Sequence, residues 1–195
     1  LGTPPQGRAD YAFIQHILKS MDPRTGRCSI LLPHGVLFRN EESEMRERLV
    51  RSDLVEAVIG LGANLFFNSP MEACILICRS EKAPNRSKKI LFVDASAEVT
   101  RKNAQSYLEP QHIKRIVDAY RSDEDIEGFS SHASFSELED NAFSLSIPLY
   151  VKPSNDENAD DRSIEETVES WRAASTEAAS LLDNIAAKLH ENDGE

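Results

Sequence analysis

The chain has 195 residues, 40% of them hydrophobic and 28% charged, and a net charge of −11. This is a globular composition with room for one substantial core, extended at most by a helical appendage. No apolar run approaches the ~20 residues of a membrane span and no signal-peptide pattern opens the chain, so a membrane protein is not expected. A chain that starts at Leu1 rather than Met is expected to be a fragment or a cleaved product.

The acidity is uneven. Residues 1–121 hold 18 Lys/Arg against 14 Asp/Glu, and residues 122–195 hold 4 against 19. Only the first part has the electrostatics to lie near phosphate, and its excess is modest.

Taken in chain order, residues 1–8 are turn-rich. Tyr11, Phe13, Ile14, Ile17, Leu18 and Met21 then follow helical spacing, with Asp10 placed to cap the helix and Asp22-Pro23 to end it. Thr25-Gly26 makes a turn. Cys28 to Leu32 is a continuous apolar run, read as a strand covered on both faces. It stops at Pro33-His34-Gly35, a break of the kind that forms site walls at the carboxyl ends of strands.

Residues 41–50 form a charged helix with Met45, Leu49 and Val50 inward. Strands follow at 54–61, 72–78 and 90–93, separated by the loop 62–70 and the basic loop 79–89. Alternating helices and apolar strands predict an α/β fold with a mainly parallel sheet. The last strands come without long helices between them, so an antiparallel edge is expected there.

Residues 110–120 form another helix, with Ile113, Ile116, Val117 and Tyr120 on one side. Residues 122–146 are acidic with apolar punctuation at Phe129, Phe135, Leu138 and Phe143, and 147–151 reads as extended. The composition of 153–162 is that of a linker. Ser163 to Glu166 reads as a capping box opening a final amphipathic helix over 163–190. Its inner positions are Ile164, Val168, Trp171, Ser175, Ala178, Leu182, Ile185 and Leu189, a heptad pattern that suits either packing on its own domain or a partner helix. The predicted organisation is an α/β domain over 1–96, its extension over 97–152, the linker and the helix.

The chemistry-bearing residues are sparse. Cys28, Cys74 and Cys78 contain no Cys-x-x-Cys and read as small buried hydrophobes in a reducing cytoplasm, with a metal or disulfide site the lesser alternative. His16, His34, His112, His132 and His190 lack metal-ligand spacing. His16 reads as a structural histidine near the apolar stripe, and His34 stands out for following a strand end. Gly60-x-Gly62 leads into Ala63-Asn64-Leu65 and not into a helix start, so it reads as a structural loop glycine.

Several motifs in order carry a specific resemblance: GTPPQGRADYAFIQHIL from Gly2, GRCSILLPHGVLFR from Gly26, LVEAVIGL, ANLFF, EACILI, ILFVDAS and SIPLYV. Together they resemble the modification subunit of type I restriction-modification systems, an adenine-N6 DNA methyltransferase, from about Gly2 to Val151. The resemblance implies the C-terminal half of a class I methyltransferase sheet, of Rossmann-like architecture, with an antiparallel terminal hairpin and a helical C-terminal segment. It implies S-adenosylmethionine as cofactor. It also implies DNA, a specificity subunit and a second modification subunit as partners.

No catalytic or cofactor-binding residue is expected in this chain, because it lacks the glycine-rich turn and the Asn/Asp-Pro-Pro-aromatic motif. Thr3-Pro4-Pro5-Gln6 is not that motif, since the family has a Pro-Pro pair here too, downstream of the catalytic one. No metal is expected. Carried over by motif, Pro33, His34 and Gly35 would line the catalytic cleft. Phe66, seven residues before Ala73, would stack on a flipped base, unless Phe66 or Phe67 simply plugs the core edge. The chain departs from the family around this loop, with Leu61-Gly62 in place of Leu-Pro and Asn68-Ser69-Pro70 in place of a Gly-Thr-Gly-like stretch.

Two function classes follow: part of a methyltransferase that is inactive alone, or a non-catalytic assembly module that binds a specificity subunit or itself through Ile164, Val168, Trp171, Leu182, Ile185 and Leu189. A decayed remnant is a third, weaker reading.

Overall fold

A computed structural model describes residues 1–103 and 105–152, together with Val168, Glu169, Trp171, Arg172, Ser175 and Thr176. The chain divides into two units, Leu1–Ser154 and Asn155–Glu195. In the second, Val168, Glu169, Trp171, Arg172, Ser175 and Thr176 are helical and exposed. Ile164, Leu182, Ile185, Leu189 and the linker 153–162 lie outside the described residues.

The first unit is built on β1 (Arg27–Pro33), β2 (Val55–Leu61), β3 (Ala73–Arg79), β4 (Lys89–Ala95), β5 (Thr100–Lys102), β6 (Gln105–Tyr107) and β7 (Ser130–Ser134). Its helices are α1 (Asp10–Ser20), α2 (Ser43–Arg51), α3 (Pro110–Arg121) and α4 (Phe135–Asp140). Five strands form one sheet in the order β1-β3-β2-β4-β7, and β5-β6 is a separate hairpin. The α/β class holds, but the sheet is mixed rather than mainly parallel. Only β2–β4 is a parallel ladder; β1–β3, β2–β3 and β4–β7 are antiparallel. The connections explain this, because no helix of crossover length lies between β2 and β3 or between β3 and β4.

One face of the sheet carries α1 and α2, through Tyr11, Ile14, Met45, Leu49 and Val50 packed on Val58, Leu76 and Phe92. The other carries α3, through Ile116 and Ala119 on Ile59, Leu91 and Val93. This second layer is partial. β1 is an edge strand whose exposure alternates: Ile30 and Leu32 are buried, whereas Leu31 is 52% exposed. The expected cover on both of its faces is therefore corrected to cover on one, and its continuous apolar run reflects a face that α3 does not reach.

Four further local readings change. Asp10 does not cap α1; Ala9 is the N-cap, and the Asp10 carboxylate takes a 2.9 Å bond from Arg39. His16 is exposed rather than packed at the apolar stripe. Residues 147–149 are a 3₁₀ turn opened by Pro148, not extended chain. Residues 122–146 contain β7 and α4. β7 is Ser-Ser-His-Ala-Ser, a run without the branched residues that mark strands, held because β4 offers it an open edge. α4 had a readable signal, since Ser134 and Glu137 form a reciprocal capping box.

The core also holds charges that periodicity does not show. Arg46 is buried and donates to the carbonyls of Phe143 (3.1 Å) and Arg39 (2.9 Å), tying α2 to the chain beyond α4. Glu56 is buried at the start of β2 between Arg79 (3.2 Å) and the Tyr120 hydroxyl (2.7 Å). Arg46 and Glu56 are both matched by charge-assisted hydrogen bonds, the condition for tolerating them inside.

All three cysteines are free thiols. Cys74 and Cys78 are buried on one face as read, and Cys28 stands opposite Cys78 in the β1–β3 register. The Cys78 thiol donates toward Cys28, which holds the Cys28 pKa down to about 7, whereas burial lifts Cys74 to about 12. Reactivity follows the thiolate. Iodoacetamide at mildly alkaline pH is expected to label Cys28 well ahead of the other two, read by peptide mass spectrometry. Equal labelling of all three in the folded protein would contradict this arrangement.

Candidate functional site

Strands β1 and β2 both run against β3, and β4 runs with β2, so Pro33, Leu61 and Ala95 all arrive at the same edge of the sheet. Three loops meet there: 33–39, 62–72 and the segment after β4 that carries the β5–β6 hairpin. This is the end at which open α/β sheets place their ligands.

Pro33 and Phe66 are brought together. They line one cavity of about 200 Å³ with Leu31, Leu32, Ser69, Met71, Glu72 and Ala73. Phe66 also packs on the β2–β4–α3 core, so its ring both closes the core edge and faces the cavity. Phe67 does not plug anything; it is 83% exposed.

His34 and Gly35 lie beside the cavity without lining it. The His34 backbone N–H donates to Glu72 O (3.3 Å), extending the β1–β3 pairing by one residue, and its Nδ1 stands 3.1 Å from Glu72 Oε2. Its Nε2 is buried with no partner in the protein, and its ring meets Phe38 edge-on at 6.1 Å. Gly35 is a packing glycine: a Cβ there would come within 2.8 Å of Arg39 Nε.

That guanidinium bridges Asp10 (2.9 Å) and the fully buried Glu42 (3.3 Å), anchoring the loop after β1 to the starts of α1 and α2. Burial raises the Glu42 carboxyl above its usual range despite Arg39, and one of its oxygens has no partner. The native state thus holds this proton to higher pH than the unfolded chain. Stability should fall as pH rises from the ordinary carboxylate value through the raised native one. Denaturant unfolding across that window is expected to show a shallower decline for Glu42→Gln; an unchanged slope would contradict the assignment.

The glycines of Gly60-x-Gly62 are filled, not open. A Cβ on Gly60 would meet Ile147 Cδ1 at 2.6 Å, and one on Gly62 would meet Ser96 O at 2.5 Å. The backbone there has no free approach for S-adenosylmethionine, and the residues around it do not fit that cofactor. Gly62 instead lets the turn after β4 press onto the loop after β2. Asp94 shapes that turn by accepting from the Ser96 amide (3.0 Å) and hydroxyl (2.6 Å).

Sequence reasoning missed a second, larger cleft on the same edge. The β5–β6 hairpin docks on the 62–70 loop through a bond from Ser106 N–H to Asn64 O (2.9 Å). The two enclose about 480 Å³, lined by Phe66, Phe67, Asn68, Lys102, Gln105 and Tyr107 among others. Its signal was faint, since β5 and β6 have three residues each. His112 and His132 are elsewhere: His112 sits in the α3 capping box, and His132 lies 2.7 Å from Asp125.

The N-6 DNA methylase family profile matches residues 1–159. The chain belongs to that family, and the relatives it resembles are type I restriction-modification methylase subunits. It is 33% identical to the type I restriction enzyme MjaVII methylase subunit of Methanocaldococcus jannaschii, over 94% of this chain and 32% of the relative. It is 30% identical to the HindI methylase subunit of Haemophilus influenzae, over 80% of this chain and 37% of the relative. The crystal structure of the type I methyltransferase subunit from Streptococcus thermophilus superposes with a TM-score of 0.70 at 39% identity. That match covers 75% of this chain and 31% of the other. The chain thus spans about a third of the length of the curated relatives it matches. Among the described residues, no helix is long and apolar enough to cross a membrane.

Proposed function

We propose that this chain is the C-terminal half of the methyltransferase domain of a type I modification subunit, acting on adenine N6 in DNA in the cytoplasm. In this reading, S-adenosylmethionine and the Asn-Pro-Pro-aromatic motif are held by other parts of the subunit, and this chain alone is inactive. The observation that carries the reading is the convergence of Pro33 and Phe66 on one cavity at the carboxyl ends of β1 and β2. There the Phe66 ring would stack on the flipped base, and Pro33 would form the facing wall with the loop His34-Gly35 behind it.

The outer edge of β1, unpaired among the described residues, supports the reading. So does the apolar strip of Leu31, Ile75, Ile77 and Ile113, which α3 leaves partly open. Both are surfaces that a further piece of the same sheet would cover.

Two measurements test this. Calorimetry of the 195-residue chain with S-adenosylmethionine is expected to show no binding, and tight binding would overturn the proposed division of labour. In the complete subunit, Phe66→Ala should slow methyl transfer roughly 5- to 150-fold, the equivalent of ~1–3 kcal/mol of base stacking. An unchanged rate would remove Phe66 from the base pocket.

The second reading is assembly, in which the late helix binds a specificity subunit or a second modification subunit. Val168 and Trp171, both exposed on helical turns, favour it, Trp171 being 69% exposed. Leu182→Asp with Ile185→Asp should abolish co-purification with the specificity subunit while circular dichroism shows the α/β part folded. Persistent association would exclude this helix as the interface.

A further inference from the structure

The larger cleft, between the 62–70 loop and the β5–β6 hairpin, adjoins the Pro33–Phe66 cavity, and Phe66 and Ser69 border both. Its volume of about 480 Å³ suits a nucleotide-sized group. The cleft is lined by one lysine, four carboxamides and three aromatic rings, with no carboxylate.

Lys102 is mostly exposed and forms an ion pair at 3.7 Å with Glu109, a carboxylate that does not itself line the cleft. Phe67 and Tyr107 present ring surface to solvent at 83% and 44% exposure, and both line this one cleft. Asn64, Asn68 and Asn103 turn the chain at the cleft in the left-handed region that asparagine tolerates, at φ between 57° and 60°.

A cation, carboxamides and open aromatic faces without acid form the combination that grips a nucleic-acid strand. The cation contacts phosphate, the rings stack on bases whatever their identity, and the amides bond base or sugar edges. A protein partner would equally accept the rings, but it gives no reason for excluding every carboxylate.

We infer that this cleft holds the DNA strand flanking the target nucleotide, with Lys102 on a phosphate and Phe67 and Tyr107 against a neighbouring base. The inference rests on the methyltransferase reading and adds to it a second contact, about one loop away from the base pocket. Keeping the flanking nucleotide out of the duplex stack would hold the target base in its extruded position.

The test uses the 195-residue chain and a fluorescein-labelled duplex that carries one unpaired adenine flanked by 5-iododeoxyuridine. Photo-crosslinking with peptide mapping should place the adduct on the peptide containing Phe67 or Tyr107. By anisotropy, Lys102→Ala should weaken binding and lower the salt slope of log K by about one. Phe67→Ala with Tyr107→Ala should weaken binding roughly tenfold with the slope unchanged.

An adduct on the Pro33–Phe38 peptide, with all variants binding normally, would overturn the cleft and leave the methyltransferase reading standing. Failure of the chain to bind this DNA would also overturn the cleft, and the methylation rate of the complete subunit would then judge the other reading by itself.

Discussion

The placement of β3 controls everything else in this unit. It lies antiparallel between β1 and β2, bonded along its full length to both. Strands on either side of an antiparallel neighbour must run the same way. The carboxyl ends of β1 and β2 are therefore forced to one edge of the sheet, and the parallel β2–β4 ladder adds the end of β4. A one-residue slip of β3 would turn its buried Cys74, Leu76 and Cys78 to the opposite face, so burial fixes the register as firmly as the hydrogen bonds do. Pro33 and Phe66 lie far apart in sequence and meet because of this strand.

Charge then fastens the loops that the sheet delivers. Arg39 joins the loop after β1 to α1 and α2, and Arg46 joins α2 to the chain around Phe143. The Glu56–Arg79–Tyr120 group does the same work at the far end of the sheet. The Arg39 and Arg46 contacts tie the loop after β1 and the chain around Phe143 to α1 and α2.

The sequence disclosed the elements whose side chains follow a clear period. α1, α2, α3, β2, β3 and β4 were all legible from apolar spacing, and the motifs around Ala9–Arg39 pointed to the right family. What escaped has physical reasons. β7 is small and polar, so only pairing with β4 makes it a strand, and the β5–β6 hairpin is too short for alternation to register. β1 looked doubly covered because its exposed face is apolar too. Pro33 and Phe66, singled out by the resemblance, line one cavity. Lys102, Phe67 and Tyr107 line a common cleft only because the fold brings the hairpin onto the 62–70 loop. His34 and Gly35, expected to line the cleft with Pro33, lie beside the cavity instead, His34 against Glu72 and Gly35 against Arg39.

In the proposed reading the Phe66 ring meets the extruded adenine, and fluorescence of 2-aminopurine at the target position reports on that contact. In the complete subunit, flipping should take this base out of the duplex stack and set it against the ring, which quenches its emission. Phe66→Ala should then give a markedly brighter complex at unchanged DNA occupancy. Equal emission from the two proteins would mean that the flipped base rests elsewhere, and the wall formed by β1 and the 62–72 loop would lose its assigned role.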